Sequence, residues 1–177
     1  MTELALRSAI IVAVPEAASA VDGWRERTCH VKPSSGVPPH ITILVPFVQA
    51  AEVNSSHIED LKGLFADVVC FEFVLRATAR FPEVLYLAPD PSEPFVELVD
   101  VLRTTYTDYA PYEGAIEAVV PHLTVAEGGT ETLDSAELDV SRALPIRSEA
   151  STALLLEEIE PDGTRWRTRA RFPFSRR

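Results

Sequence analysis

Pro39-His40-Ile41-Thr42-Ile43 returns eighty-two residues later as Pro121-His122-Leu123-Thr124-Val125, and the two strings match position for position. Each reads as the opening of a β-strand, because a strand tolerates proline at its first position, where only one ladder donor is lost. Residues two apart in a strand share a face, so His40 and Thr42 project together while Ile41 and Ile43 turn into the core. His122 and Thr124 repeat the arrangement. If the two halves are related by a pseudo-twofold axis, both His/Thr pairs face one cleft and surround one tetrahedral ligand.

Outward from these strings, β-branched runs alternate with segments of helical periodicity. Strands are expected at Leu6 to Val14, His40 to Phe47, Cys70 to Arg80, Val84 to Ala88 and Val119 to Ala126. A final hairpin, Ile146 to Glu160 with Thr164 to Phe174, turns at Pro161-Asp162-Gly163. Helices are expected at Glu16 to Arg27, Asn54 to Val68, Ser92 to Tyr109 and Thr132 to Leu144. Asn54, Ser55 and Ser92 are cap candidates, and Pro94 suits a first helical turn. Ile58, Leu61, Leu64 and Phe65 give one helix its apolar face, and Phe95, Leu98, Val99 and Leu102 give another. Hairpin-linked strands between helices make the class α+β with largely antiparallel sheets.

The 177 residues suit one domain, 1–177, or two closely packed lobes. A net charge of −11 argues against the broad basic surface that a long duplex nucleic acid requires, and favours a small or terminal phosphate as ligand. Lys32 and Lys62 are the only lysines; neither sits in a Lys-x-Asp-Gly context, and no Gly-x-x-x-x-Gly-Lys-Ser/Thr loop exists to cradle ATP. Cys29 and Cys70 form no Cys-x-x-Cys pair and read as reduced thiols of an intracellular chain. The apolar run Ala9 to Val14, flanked by Glu3 and Glu16, is too short for a signal-peptide core. No stretch approaches the roughly 20 apolar residues that span a bilayer, so a soluble, cytoplasmic protein with no membrane partner is expected.

Phosphodiester cleavage requires a base for the attacking oxygen, an acid for the leaving oxygen, and donors for the non-bridging oxygens. His40 and His122 supply the first two, since an imidazole with a pKa near 6.5 serves in either protonation state. Thr42 and Thr124 supply hydroxyl donors for the phosphate. Zinc is the competing use of two histidines, but catalytic zinc usually takes three protein ligands and no third accompanies the repeat at fixed spacing. Neither metal nor cofactor is expected.

With its two His-apolar-Thr-apolar motifs, His40 to Ile43 and His122 to Val125, the sequence resembles the two-histidine phosphoesterase superfamily, which includes 2′–5′ RNA ligases and cyclic phosphodiesterases. Phe81 to Leu87 and the Gly163 to Phe174 hairpin with Trp166 look like further equivalent segments, so the resemblance covers the whole chain. It implies a bilobal fold with internal pseudo-symmetry and a central groove holding both motifs. It also implies hydrolysis of a 2′,3′-cyclic or related phosphodiester, with ATP-independent 2′–5′ RNA joining and a catalytically silent nucleotide- or RNA-binding module as alternatives. The expected partner is a small cyclic phosphate or an RNA terminus, bound by a monomer.

Other candidates read more simply. His30 and His57 carry no motif and are expected at the surface. Arg165, Arg167, Arg169 and Arg171 alternate along the last strand and are expected on one solvated face, partly neutralised by Glu157, Glu158 and Asp162. Phe47, Tyr86 and Tyr112 are positioned to stack on a base, although strand aromatics more often belong to the core.

Overall fold

The computed structural model describes residues 5–107 and 119–176. Eight strands and four helices follow one another as β1 (Ser8–Ala13), α1 (Ala18–Thr28), β2 (His40–Leu44), α2 (Ser55–Ala66), β3 (Phe71–Phe81), β4 (Val84–Asp90), α3 (Glu93–Thr105), β5 (Leu123–Glu127), α4 (Thr130–Ser141), β6 (Ile146–Ala150), β7 (Thr152–Glu158) and β8 (Trp166–Pro173). They make two four-stranded antiparallel sheets, ordered β2-β1-β7-β8 and β5-β4-β3-β6. This is the expected α+β architecture.

The internal symmetry shows in the connectivity. In each half a strand leads through a helix to a motif strand that pairs back antiparallel beside it: β1-α1-β2 in one sheet, β4-α3-β5 in the other. Both motif strands are therefore edge strands, and β2 and β5 touch. The helices cross over: α1 packs against β5 of the opposite half, and α3 packs against β2. An amphipathic helix must bury its apolar stripe against something. Phe95, Leu98, Val99 and Leu102 of α3 are all buried, each such side chain contributing about 1.5–3 kcal/mol.

The main core runs continuously through both sheets, from Ile10, Val12 and Ile41 to Leu87, Leu123 and Val125. Stacked rings of Phe65, Phe172 and Phe174 close the end beneath α2, which starts at the expected Asn54 cap. A second, smaller cluster of Ala9, Ile11, Val37, Leu154, Leu156 and Trp166 lies on the other face of the first sheet. Directly paired strand residues share a face, so the pairs Ile11–Thr42 and Ala13–His40 put the first motif beside this smaller cluster.

Four expectations are revised. The single strand expected from Ile146 to Glu160 is two, β6 and β7, one in each sheet. Burial alternates along Ile146–Ala150 but is continuous from Ala153 to Glu158, as an edge strand and a central strand require. The expected strand beginning before His122 starts at Leu123, one residue after it. The His40 strand stops at Leu44, short of Phe47. The third helix ends at Thr105; Tyr109, where it was expected to end, lies outside the described residues.

The chain reaches His40 through a loop whose turn depends on one glycine. Gly36 sits at φ +85°, and a Cβ there would lie 2.5 Å from the Trp166 carbonyl oxygen. Gly36→Ala combines left-handed strain with a backbone clash, and a loss of roughly 2 kcal/mol or more is expected. Urea unfolding measures it; an unchanged midpoint refutes this account of the loop.

Candidate active site

His40 is the first residue of β2, and its Nδ1 lies 2.8 Å from the Pro38 carbonyl oxygen. His122 repeats this: its Nδ1 lies 2.8 Å from the carbonyl oxygen of Val120, again two residues back. A carbonyl oxygen only accepts, so Nδ1–H donates in both rings, leaving each Nε2 as a lone pair when the ring is neutral and an N–H donor when it is charged.

Thr42 and Thr124 lie two residues beyond their histidines on the same strand faces. Neither hydroxyl makes a hydrogen bond among the described residues. A cavity of about 510 Å³ is lined by Thr42, His122 and Thr124 together with the apolar Phe81, Val84 and Val99. A second recess, about 210 Å³, lies between the loop around Val31 and Val37 and the smaller cluster, and is lined by His40, Thr42 and Trp166. Thr42 borders both spaces, with His40 lining the smaller one and His122 and Thr124 the 510 Å³ cavity. A larger groove of about 930 Å³, between α2, α3 and Glu149, contains none of them.

The two rings have different surroundings. His122 stands edge-on to Phe81 at 5.1 Å between ring centroids and to Tyr86 at 5.4 Å; Phe81 and Tyr86 are themselves stacked at 4.3 Å. His40 is only partly accessible, and burial pushes its pKa down to about 4, opposed by the bond to Pro38 and assisted by the charges of Arg25 and His122. Arg25 is almost wholly buried on α1 and donates to the Val37 carbonyl at 3.0 Å and to Asp22 at 2.8 Å. It thus ties down the loop whose next residue, Pro38, holds the His40 ring.

The remaining sequence candidates lie elsewhere. His57 is half-buried and closes the capping box of α2, its Nδ1 accepting from the Asn54 amide at 3.3 Å. His30 is exposed as expected, near Gly163. Phe47 is core, edge-on to Tyr106, and Tyr86 is buried behind His122, so neither has an open face for a base. Tyr112 lies outside the described residues. The arginines do not share one face: a bulge in β8 opposite Leu155 and Leu156 changes the alternation. Arg167 pairs with Glu157 on one side, whereas Arg171 sits opposite Leu154, on the face of Thr42. Glu157 neutralises Arg167 as expected, but Glu158 is taken by Arg7 and Asp162 by Thr164.

The sequence reading missed Phe81, Arg25 and Arg103. Phe81, one residue past the strand expected from Cys70 to Arg80, ends β3 and packs on His122. Arg103 lines the larger cavity four residues beyond Val99, a spacing that shares a helix face. Arg25 carries no sequence signal, since nothing in its neighbours forecasts burial of a charge. Among the described residues no group of three or more His, Cys, Asp or Glu side chains is arranged to hold a metal ion. No described helix is long and apolar enough to cross a membrane.

The sequence model of the 2′-5′ RNA ligase superfamily matches residues 13–160. The fold is similar to that of Escherichia coli LigT complexed with NADP+, with a TM-score of 0.59 and 18% identity over 98% of this chain and 99% of that one. LigT complexed with 3′-AMP gives a TM-score of 0.57 at 19% identity, covering 96% and 98%. A Thermus thermophilus protein gives 0.60 at 21% identity, covering 95% and 97%. At these identities the likeness is one of fold. No curated protein sequence matches.

The backbone contacts dictate a tautomer that can be read directly. Nitrogen-15 spectra of the neutral imidazoles are expected to show protonated Nδ1 and bare Nε2 in both His40 and His122. A dominant Nε2–H form in either ring contradicts the orientation described.

Proposed function

The chain belongs to the 2′-5′ RNA ligase superfamily, and from that premise we propose that it is a metal-independent phosphodiesterase. It opens a 2′,3′-cyclic or related 2′-linked phosphodiester by acid–base catalysis between His40 and His122. The observation that carries the reading is the matched pair of imidazoles, each anchored through Nδ1 to its own backbone and offering Nε2 beside an unengaged threonine hydroxyl.

In this mechanism the depressed pKa of His40 makes it the base, because the ring stays neutral at any pH above about 4. Its Nε2 takes a proton from water as the water oxygen bonds to phosphorus. His122, protonated on Nε2, gives that proton to the departing ribose oxygen as the P–O bond breaks, and the product is a phosphate monoester. Each transfer is worth about 10²- to 10⁴-fold. Thr42 and Thr124 donate to the non-bridging oxygens, where charge builds. The proton gained by His40 and lost by His122 is exchanged with solvent before the next turnover.

A second reading, ATP-independent 2′–5′ joining of RNA, replaces the water by a ribose hydroxyl on the same residues. The two spaces that meet at Thr42 favour it, since a diester linking two nucleotides places a group on each side of the phosphate. The LigT complexes with NADP+ and 3′-AMP make a nucleotide phosphate the natural ligand class for either reading. A monomeric, cytoplasmic protein of one two-lobed domain goes with both, in keeping with its free cysteines.

His40→Ala and His122→Ala are each expected to lower kcat/KM for a nucleoside 2′,3′-cyclic phosphate by at least about 10²-fold, with chelators without effect. Full activity in either variant, or strict metal dependence, overturns the proposal. The His40 ring is protonated only at low pH, so the acid limb of kcat/KM should fall near pH 4, not near 6.5. Stability follows the same sign. The neutral ring favours the fold above the unfolded pKa near 6.5, and that contribution is lost as pH falls towards 4.

A further inference from the structure

Two charged side chains line the larger cavity and take no part in the mechanism above: Arg103 on the α3 wall and Glu127 on the β5 wall. Among the described residues nine other arginines are ion-paired with carboxylates, as a chain of net charge −11 makes easy. Arg103 has no ion pair or hydrogen bond among the described residues, and this half-buried residue lines the same space as His122, Thr42 and Thr124. A partly desolvated guanidinium leaves donors unused unless an anion arrives, and its planar fork matches a phosphate.

Geometry limits which phosphate this is. A cavity of 510 Å³ is only about 10 Å across if spherical, so Arg103 lies within the span of one nucleotide from the histidine and threonines. The scissile group already has two hydroxyl donors and two imidazoles. Val84 pairs with Glu127, and Tyr86 with Thr124, so Glu127 stands on the same face of β5 as Thr124. Its carboxylate repels a second anion from that wall and leaves the α3 wall as the place for one.

We propose that Arg103 is a specificity residue that binds a second phosphate of the substrate, the one on the 5′ oxygen of the ribose that carries the cyclic phosphate. This rests on the phosphodiesterase reading and narrows its substrate class. The 5′-phosphate comes either from a free 5′-phosphorylated nucleoside cyclic phosphate or from the penultimate linkage of an RNA end.

The test compares kcat/KM for adenosine 2′,3′-cyclic phosphate, its 5′-phosphorylated form, and the dinucleotide ApA ending in a 2′,3′-cyclic phosphate. Wild-type protein is expected to prefer one or both 5′-phosphorylated substrates by about tenfold or more. Preference for the mononucleotide or for the dinucleotide identifies the source. In Arg103→Ala the ratio to the unphosphorylated substrate should fall to about one, and Arg103→Lys should keep part of it. A wild-type ratio near one, a ratio unchanged in Arg103→Ala, or an equal loss on all three substrates overturns the proposal. Calorimetric binding of adenosine 3′,5′-bisphosphate against adenosine 3′-monophosphate needs no turnover. Tighter binding of the bisphosphate, lost in Arg103→Ala, upholds the Arg103 site even if the cyclic diesters are not cleaved, an outcome that would instead count against the phosphodiesterase reading.

Discussion

The structure depends on an exchange of helices between its two halves. Each motif strand is the last strand of its sheet, with one side of its ladder unpaired, and an uncovered edge of that kind invites pairing with another chain. Here β2 and β5 meet each other, α3 lies on β2, and α1 lies on β5. Each half therefore supplies the support for the histidine strand of the other, and the core is continuous across the join. Misplacing one helix disturbs the opposite motif as well as its own.

On that frame the chain sets two rings by the same local device and then treats them differently. A carbonyl two residues upstream fixes the tautomer in each case, by a bond contained within its own segment. The environments diverge beyond that. His122 is held by aromatic edges, which constrain its orientation without adding charge. His40 is enclosed, and that burial disfavours its charged form, with the nearby cation Arg25 adding to the effect. The repeated motif accounts for the likeness of the rings, and the divergence of their neighbours accounts for the difference in their surroundings.

Much of this was legible in the sequence where the signal is periodic or repeated. The Pro-His-apolar-Thr strings, the 3.6-residue stripe of Phe95, Leu98, Val99 and Leu102, and the Asn54 cap announce their elements because local geometry dictates them. Where tertiary context decides, the reading failed. Ile146 to Glu160 is uniformly strand-like, and only its passage from alternating to continuous burial separates the two sheets it visits. His57 carried no motif because its role is to close a helix cap. Arg25 and Arg103 owe their significance to what folds around them, and their near neighbours in the sequence give no hint of it. The arginine stripe misled because strict alternation fails wherever one strand carries an extra residue.

That extra residue in β8 has a wider effect. Before it, Trp166 and Thr168 face the small apolar cluster beside the first motif; after it, Ala170 and Phe172 face the main core. The bulge acts as a phase shifter that lets a single strand of even-numbered hydrophobes furnish two separate interiors. Were the strand regular over the same residues, simple alternation would turn the indole out of the recess or the phenyl rings out of the core. The bulge and the even spacing of Trp166 and Phe172 are thus coupled: a regular strand serves both interiors only if it is one residue shorter, and at the present length the extra residue must stay looped out.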